Sequence, residues 1–275
     1  MGRTLLILAA TWSVSVSAQQ PTLPPNWERC LNRGNIVSAD LQIGACTALI
    51  QSGQLDAAGQ ALAVYERGNV YLKEKQHDRA IADYDQAIRL KPDFAEAFNS
   101  RGIAYGNKKN YERAIVDYDQ AIRLAPDYVY ALTNRGNAYT NEGNWDRAIA
   151  DYDHAIRAKP DFAQAFNGRG IAYGNKKNYD RAIADYDQAI RLAPDYVYAL
   201  SNRGNAYRAK GQYDAAIADY TSALRIDPKE VSSLYGRGLA KGSKGDAAGA
   251  DADIAAAKAI KPDIAVTATL PVTVR

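Results

Sequence analysis

Apolar and polar positions along this chain repeat on two scales. Over short windows they follow a helix: Phe98, Gly102 and Tyr105 fall at i, i+4 and i+7, and Ala114, Ile115, Tyr118, Ala121 and Ile122 share one face of a following segment. The polar break "GNKKN" separates the two and supplies a turn. On the larger scale the whole pattern returns every 34 residues, aligning Gly68, Gly102, Gly136, Gly170, Gly204 and Gly238, and with them Pro92, Pro126, Pro160, Pro194, Pro228 and Pro262. One stretch, "IAYGNKKNY", stands at 103–111 and again at 171–179, two periods apart. Each period is therefore a helical hairpin, closed by a proline such as Pro126, with Asp127 expected to cap the next helix. Self-similarity at this spacing marks a stacked array in which each unit touches its neighbours.

A glycine inside a helix costs roughly 1 kcal/mol relative to alanine. Its return at one point of six helices calls for a compensating close approach. The expected partners are two columns of small residues, Ala80, Ala114, Ala148, Ala182, Ala216 and Ala250, and Ala87, Ala121, Ala155, Ala189, Ala223 and Ala257.

The order aromatic, glycine, tyrosine, alanine, aromatic, alanine, proline, carried for example by Phe98, Gly102, Tyr105, Ala114, Tyr118, Ala121 and Pro126, resembles the tetratricopeptide repeat. The resemblance implies an all-α fold, a right-handed superhelical solenoid of stacked antiparallel helix pairs. Six units are expected over 61–94, 95–128, 129–162, 163–196, 197–230 and 231–264. One departure is systematic. Where the family usually has leucine before the glycine, this chain has Arg67, Arg101, Arg135, Arg169, Arg203 and Arg237, while Asp83, Asp117, Asp151, Asp185, Asp219 and Asp253 form an acidic column on the second helices. A ladder of arginine–aspartate pairs, across each hairpin or to the next unit, is the expected use of both.

The first residues, "MGRTLLILAATWSVSVSA", carry a basic Arg3, a short apolar run and small residues at Val16 and Ala18, the form of a signal peptide over 1–18. The run is shorter than the roughly 20 residues a spanning helix needs, so no integral membrane span is expected after cleavage. Residues 19–60 read as an atypical N-terminal capping segment, in which "ACTALIQSG" echoes a second helix with Cys46 in the place of Tyr84. In an exported protein the two cysteines, Cys30 and Cys46, are expected to pair as a disulfide. The sixth unit replaces the tyrosine by Lys241 and the second-helix aromatic by Ile254, as suits a water-facing cap, and 265–275 reads as a tail without helical period.

Composition removes several functions. The formal charge is +3, with both signs interleaved along the helices, so no basic tract gathers nucleic acid. His77 stands in a column of Tyr111, Trp145, Tyr179 and Tyr213, and His154 in a column of glutamines; both read as substitutions within the repeat and not as catalytic bases. Carboxylates such as Asp117 and Asp119 recur in nearly every unit, which argues for structure over a catalytic pair built once. No phosphate loop, metal-ligand cluster or serine elbow is present in the sequence, so a non-enzymatic protein is expected, with no cofactor and no metal.

Arrays of the family resemble adaptors that hold peptides, with first helices lining the concave surface. On those helices a polar stripe lies beside the core stripe: Tyr65 and Asn69, then Asn99, then Tyr130, Thr133 and Asn137, then Asn167, then Tyr198, Ser201 and Asn205. Carboxamides both donate and accept, and tyrosines add contact area, so these ten residues are the candidate ligand-binding set. The alternation Asn69, Ile103, Asn137, Ile171, Asn205 suggests two pairs of near-equivalent subsites. The expected function is a periplasmic or secreted interaction scaffold of the cell envelope that binds a peptide segment of a protein partner. The alternatives are an envelope glycan-binding protein and an accessory subunit of an envelope enzyme complex. Intact-mass measurement of the exported protein, with and without reductant, is expected to show a chain beginning near Gln19 that gains the mass of two hydrogens on reduction; retention of Met1 with two alkylatable thiols would contradict export.

Overall fold

The computed structural model describes residues 25–32, 34 and 36–264; the leader with its cleavage point and the tail from 265 lie outside the described residues. Fourteen helices and no strand occur among them. A first pair, α1 (Pro25–Leu31) and α2 (Ala39–Gln51), precedes six further hairpins: α3 (Ala57–Lys73) with α4 (His77–Leu90), α5 (Ala95–Asn107) with α6 (Tyr111–Leu124), α7 (Val129–Asn141) with α8 (Trp145–Ala158), α9 (Ala163–Asn175) with α10 (Tyr179–Leu192), α11 (Val197–Ala209) with α12 (Tyr213–Ile226), and α13 (Val231–Ser243) with α14 (Ala247–Ile260). Helix α3 starts four residues ahead of the position that the repeat period sets.

Each hairpin turns in the same way. The last residue before the turn takes a left-handed backbone, and the next amide reaches back to the first helix, as Asn110 N donates to Tyr105 O at 2.9 Å and Asn144 N to Tyr139 O at 2.8 Å. Gly143 meets that geometry freely at φ 78°, whereas Lys109 holds it at φ 60° with a side chain attached. Pro126 follows the second helix as expected, but Asp127 does not cap the next one: Tyr128 occupies the cap position of α7 without a side-chain bond, and Asp127 lies 3.0 Å from His154 Nε2 instead.

The glycine column also has a different partner from the one expected. A Cβ placed on Gly68, Gly102, Gly136, Gly170 or Gly204 would come within 2.6–2.9 Å of the ring of the second-helix tyrosine of the same unit, Tyr84, Tyr118, Tyr152, Tyr186 or Tyr220. The glycine makes room for an aromatic ring. The alanine columns are buried beside it and close the same interface.

First helices pack against the next first helix all along the array from α3 to α13, while no two second helices touch among the described residues. The row of first helices is therefore the inner side of the curve and the second helices its outer side.

Between the two rows runs the arginine ladder, and it uses both directions at once. Arg135 Nε and Nη2 donate to Asp151 Oδ2 and Oδ1 of its own hairpin at 2.8 and 2.6 Å, while Nη1 donates to Asp119 of the preceding unit at 2.6 Å. Arg101, Arg169 and Arg203 repeat this between Asp85 and Asp117, Asp153 and Asp185, and Asp187 and Asp219. At the ends a threonine hydroxyl takes the preceding position, Thr47 for Arg67 and Thr221 for Arg237. Thr47 thereby puts α2 in register with the later second helices, and Cys46 in the tyrosine column. Cys30 and Cys46 are bonded and fully buried, with Cα atoms 4.8 Å apart, and staple α1 to α2.

At the turn edge a second series joins consecutive units: Lys108 with Asp78, Lys176 with Asp146, Lys210 with Asp180 and Lys244 with Asp214. It is interrupted once. Glu142 stands in the lysine column and Glu112 in the aspartate column, and both border one shallow pocket.

The hydrogen bonds that Arg135 donates to Asp151 raise the arginine pKa, and burial pushes the Asp151 carboxyl up against the opposing pull of Arg135. Desolvation thus offsets much of the attraction, but a lone buried carboxylate has nothing to offset. Arg135→Leu is expected to lose about 3 kcal/mol in urea unfolding. Adding Asp151→Leu to it should restore most of that loss, and a single replacement without effect would show the ladder to be decorative.

Candidate functional site

The inner face formed by the first helices carries the polar stripe singled out from the sequence, but much of that stripe is already engaged. Asn69, Asn137 and Asn205 accept hydrogen bonds from the hydroxyls of Tyr84, Tyr152 and Tyr220, at 2.9, 2.6 and 2.7 Å. Asn99 and Asn167 accept from the amides of Asn134 and Asn202 on the next first helix at 3.0 and 3.1 Å. Both are buried, as are Thr133, Asn137 and Ser201. Thr133 Oγ1 has no partner, and Ser201 Oγ lies 3.4 Å from Glu230 Oε2.

The alternation of asparagine and isoleucine thus has a packing cause. Where the first helix offers Asn137 or Asn205, the next one presents Gly168 or Gly236 to the same tyrosine ring, at positions where a Cβ would come within 2.5–2.6 Å of it. Where it offers Ile103 or Ile171, the tyrosine hydroxyl has no such acceptor and the next helix carries Asn134 or Asn202. Two tyrosine settings alternate, and so the true structural period is two units.

The tyrosines of the stripe remain more accessible. Tyr130 is 52% exposed, with its ring edge-on to Phe162 at 5.3 Å. Tyr198 is half-buried beside Tyr196, and Tyr65 is half-buried against Phe94 with its hydroxyl 3.4 Å from Ser100 Oγ.

Toward the turn edge of the same face, among the first three repeat units, lies a pocket of about 720 Å³. Asn107, Asn134, Asn137 and Asn141 surround it, and Tyr118 forms part of its floor beside Ile103 and Gly106. The Tyr118 ring lies in the space left by Gly102 and stays only 4% exposed, with its hydroxyl 3.8 Å from where a Cβ on Gly106 would stand. Burial raises the pKa of that hydroxyl, so it remains a neutral donor. Lys73, Lys75 and His77 complete the wall. Of the ten candidates only Asn137 reaches this pocket. Lys73 and Lys75 went unnoticed, yet a signal was available: 68 residues further on the same positions read Asn141 and Gly143, and His77, noted only as a substitution within the repeat, has Trp145 there.

Among the described residues no cluster of His, Cys, Asp or Glu could hold a metal ion, and no helix is long and apolar enough to cross a membrane.

Family models match most of the array: TPR repeat at 68–109 and 204–245, and tetratricopeptide repeat at 133–197, 95–128 and 185–218. No curated protein matches the chain. Among solved structures it is similar to a chain of the APC/C hetero-tetramer Cut9-Hcn1, with 19% identity and a TM-score of 0.69 over 81% of this chain, which spans 46% of that one. It is also similar to PilW, a widely conserved type IV pilus biogenesis factor, at 19% identity and a TM-score of 0.67, with 74% of this chain and 94% of that one covered. A third, YrrB, described as a TPR protein with an unusual peptide-binding site, shows 21% identity and a TM-score of 0.50 over 66% of this chain and 93% of its own.

The packing role of the stripe separates its amides experimentally. Asn137→Ala leaves the fully buried Tyr152 hydroxyl without its main acceptor and is expected to cost about 1–2 kcal/mol in urea unfolding. Asn107→Ala, on the exposed rim, should cost under about 0.5 kcal/mol. Equal losses would remove the distinction.

Proposed function

The chain belongs to the tetratricopeptide repeat family, whose fold is that of a protein–protein interaction scaffold, and we propose that it holds a peptide segment of an envelope protein on the inner face of its array. The observation that supports this most is the row of accessible tyrosines and amides that remains on the first-helix side beside the engaged stripe. The second helices give their recurring aspartates to the ladder, and Arg113, Arg147 and Arg181 to tyrosine rings. On the inner face Tyr130 and Tyr198 offer ring faces, and Asn107, Asn141 and Asn175 offer amides that are not buried, a combination suited to an extended backbone and its side chains. The exported setting rests on the leader-like first residues and on the buried Cys30–Cys46 bond, which an oxidising compartment favours. A protein of the same fold that serves type IV pilus biogenesis makes an envelope assembly role a natural place to look.

The test is a pull-down from envelope extract with the mature chain beside a Tyr130→Ala, Tyr198→Ala, Asn107→Ala, Asn175→Ala variant, all four positions lying outside the interlocked core. Partners lost only from the variant are the expected result. Equal retention of every partner would reject the inner face, and retention on purified cell-wall glycan in place of protein would favour a sugar ligand.

A further inference from the structure

The repeated groove poses a register problem for any extended ligand. Amides recur at Asn107 and Asn175, at Asn134 and Asn202, and at Asn137 and Asn205, so contacts to these alone would be matched at a site 68 residues further along. The lysines are not repeated at that interval, since Asn141 and Gly143 stand 68 residues beyond Lys73 and Lys75. Lys73, Lys75 and His77 wall the pocket of the first three units, and no aspartate or glutamate lines it. Neither lysine forms an ion pair among the described residues. Glu74 and Glu142 stand in the adjoining turns outside this wall, and Glu142 borders a separate shallow pocket with Glu112, Lys108 and Lys109.

Two polar groups in the wall lack partners. The Tyr118 side chain is nearly all buried, yet its hydroxyl meets no hydrogen-bonding group, unlike those of Tyr84, Tyr152 and Tyr220. His77 Nδ1 is likewise buried and unpartnered. The Tyr118 oxygen is not sealed off like His77 Nδ1 but borders the pocket, so its hydroxyl is a donor that no protein group takes up and that a ligand can use in exchange for water.

We infer that this pocket receives the side-chain carboxylate of an acidic residue in an extended peptide, and that this contact sets the ligand's register on the array. The inference rests on the peptide reading given above. Tyr118 Oη and the amide nitrogen of Asn107 donate to the carboxylate, joined by the second amide hydrogen of Asn141, whose first is donated to Asn137 O at 2.8 Å, and Lys73 and Lys75 supply the compensating charge at the rim. Hydrogen bonds to an ionised acceptor are roughly twice as strong as neutral ones. The pocket, at about 720 Å³ and open toward the groove, holds far more than a carboxylate alone, so a whole side chain enters while the peptide backbone runs past. In the second copy Asn141 and Gly143 replace the two lysines and Trp145 replaces His77, and Ala209 replaces Asn141 in its rim role, so the counter-charge that Lys73 and Lys75 supply is missing there.

Selection from a library of random peptides, displayed with the C-terminus fused and therefore blocked, tests this on the disulfide-bonded chain. Enriched sequences are expected to share an Asp or Glu, and a synthetic peptide should weaken about ten-fold when that residue becomes Asn or Gln. The Lys73→Gln, Lys75→Gln variant should bind the acidic and amide peptides alike, and Tyr118→Phe, which keeps the ring in the core, should weaken the acidic form about three-fold or more while sparing the amide form. Enriched peptides without an acidic preference, or an acidic preference that survives the lysine replacements, would overturn the pocket assignment and leave the peptide groove standing. Synthetic peptides that bind only with a free C-terminus would overturn the side-chain assignment. Failure to enrich any peptide would remove the groove reading and this inference together.

Discussion

The contact on which the array depends is a tyrosine ring lying where a first-helix Cβ is missing. Alanine in place of Gly136 would gain about 1 kcal/mol of helix propensity, but its methyl would lie 2.8 Å from the Tyr152 ring, and overpacking of that kind costs typically 1–3 kcal/mol. The packing term wins, which is why glycine stands at this point in five units against tyrosine and in the sixth against Ile254. The close fit also aims each tyrosine hydroxyl through the hairpin toward the inner face. Whether that hydroxyl is consumed by an asparagine, as at Tyr152, or left free, as at Tyr118, decides where the groove has an unused donor.

The arginine ladder has a different task. The aspartate that each arginine meets in its own hairpin is nearly buried, while the one in the preceding unit is far more exposed, so the energy of the pairs is largely offset by desolvation or by screening, and the value of the ladder lies in what it forbids. A guanidinium that must satisfy one carboxylate in its own hairpin and one in the preceding hairpin fits only one stagger of neighbouring units. Alanine-lined interfaces alone would tolerate sliding. The ladder thus fixes the spacing at which the first helices meet and the face they present.

Features repeated in every unit were legible in the sequence: the hairpin, its proline and glycine columns, and the charges that form the ladder. What escaped was direction around the helix axis. The glycine column was matched with alanines because both are small, while the ring that needs the space belongs to the tyrosine that the same pattern had already marked as core. Asn69, Asn137 and Asn205 read as ligand groups because a carboxamide looks the same whether it faces solvent or a neighbouring hydroxyl. Asp127 carried the right residue type for a cap, one position too early for the helix start. The pocket lysines were hidden for other reasons, since Lys73 occurs in one unit only and a reading by columns treats such a departure as drift, while Lys75 shares its column with Lys109 and Lys177 and so reads as an ordinary turn residue.

The interruption at Glu142 bears on mechanics. Exposed lysine–aspartate pairs at the turn edge are worth no more than about 1 kcal/mol each, too little to decide whether the array folds but comparable with thermal energy at a joint. They act as straps along the rim of a spring. Four are in place, and the joint between the second and third repeat units, α6 against α7, has two like charges instead, so that joint flexes at lower cost than its strapped neighbours. The pocket floored by Tyr118 straddles the same joint, so its width varies with the curvature of the whole solenoid.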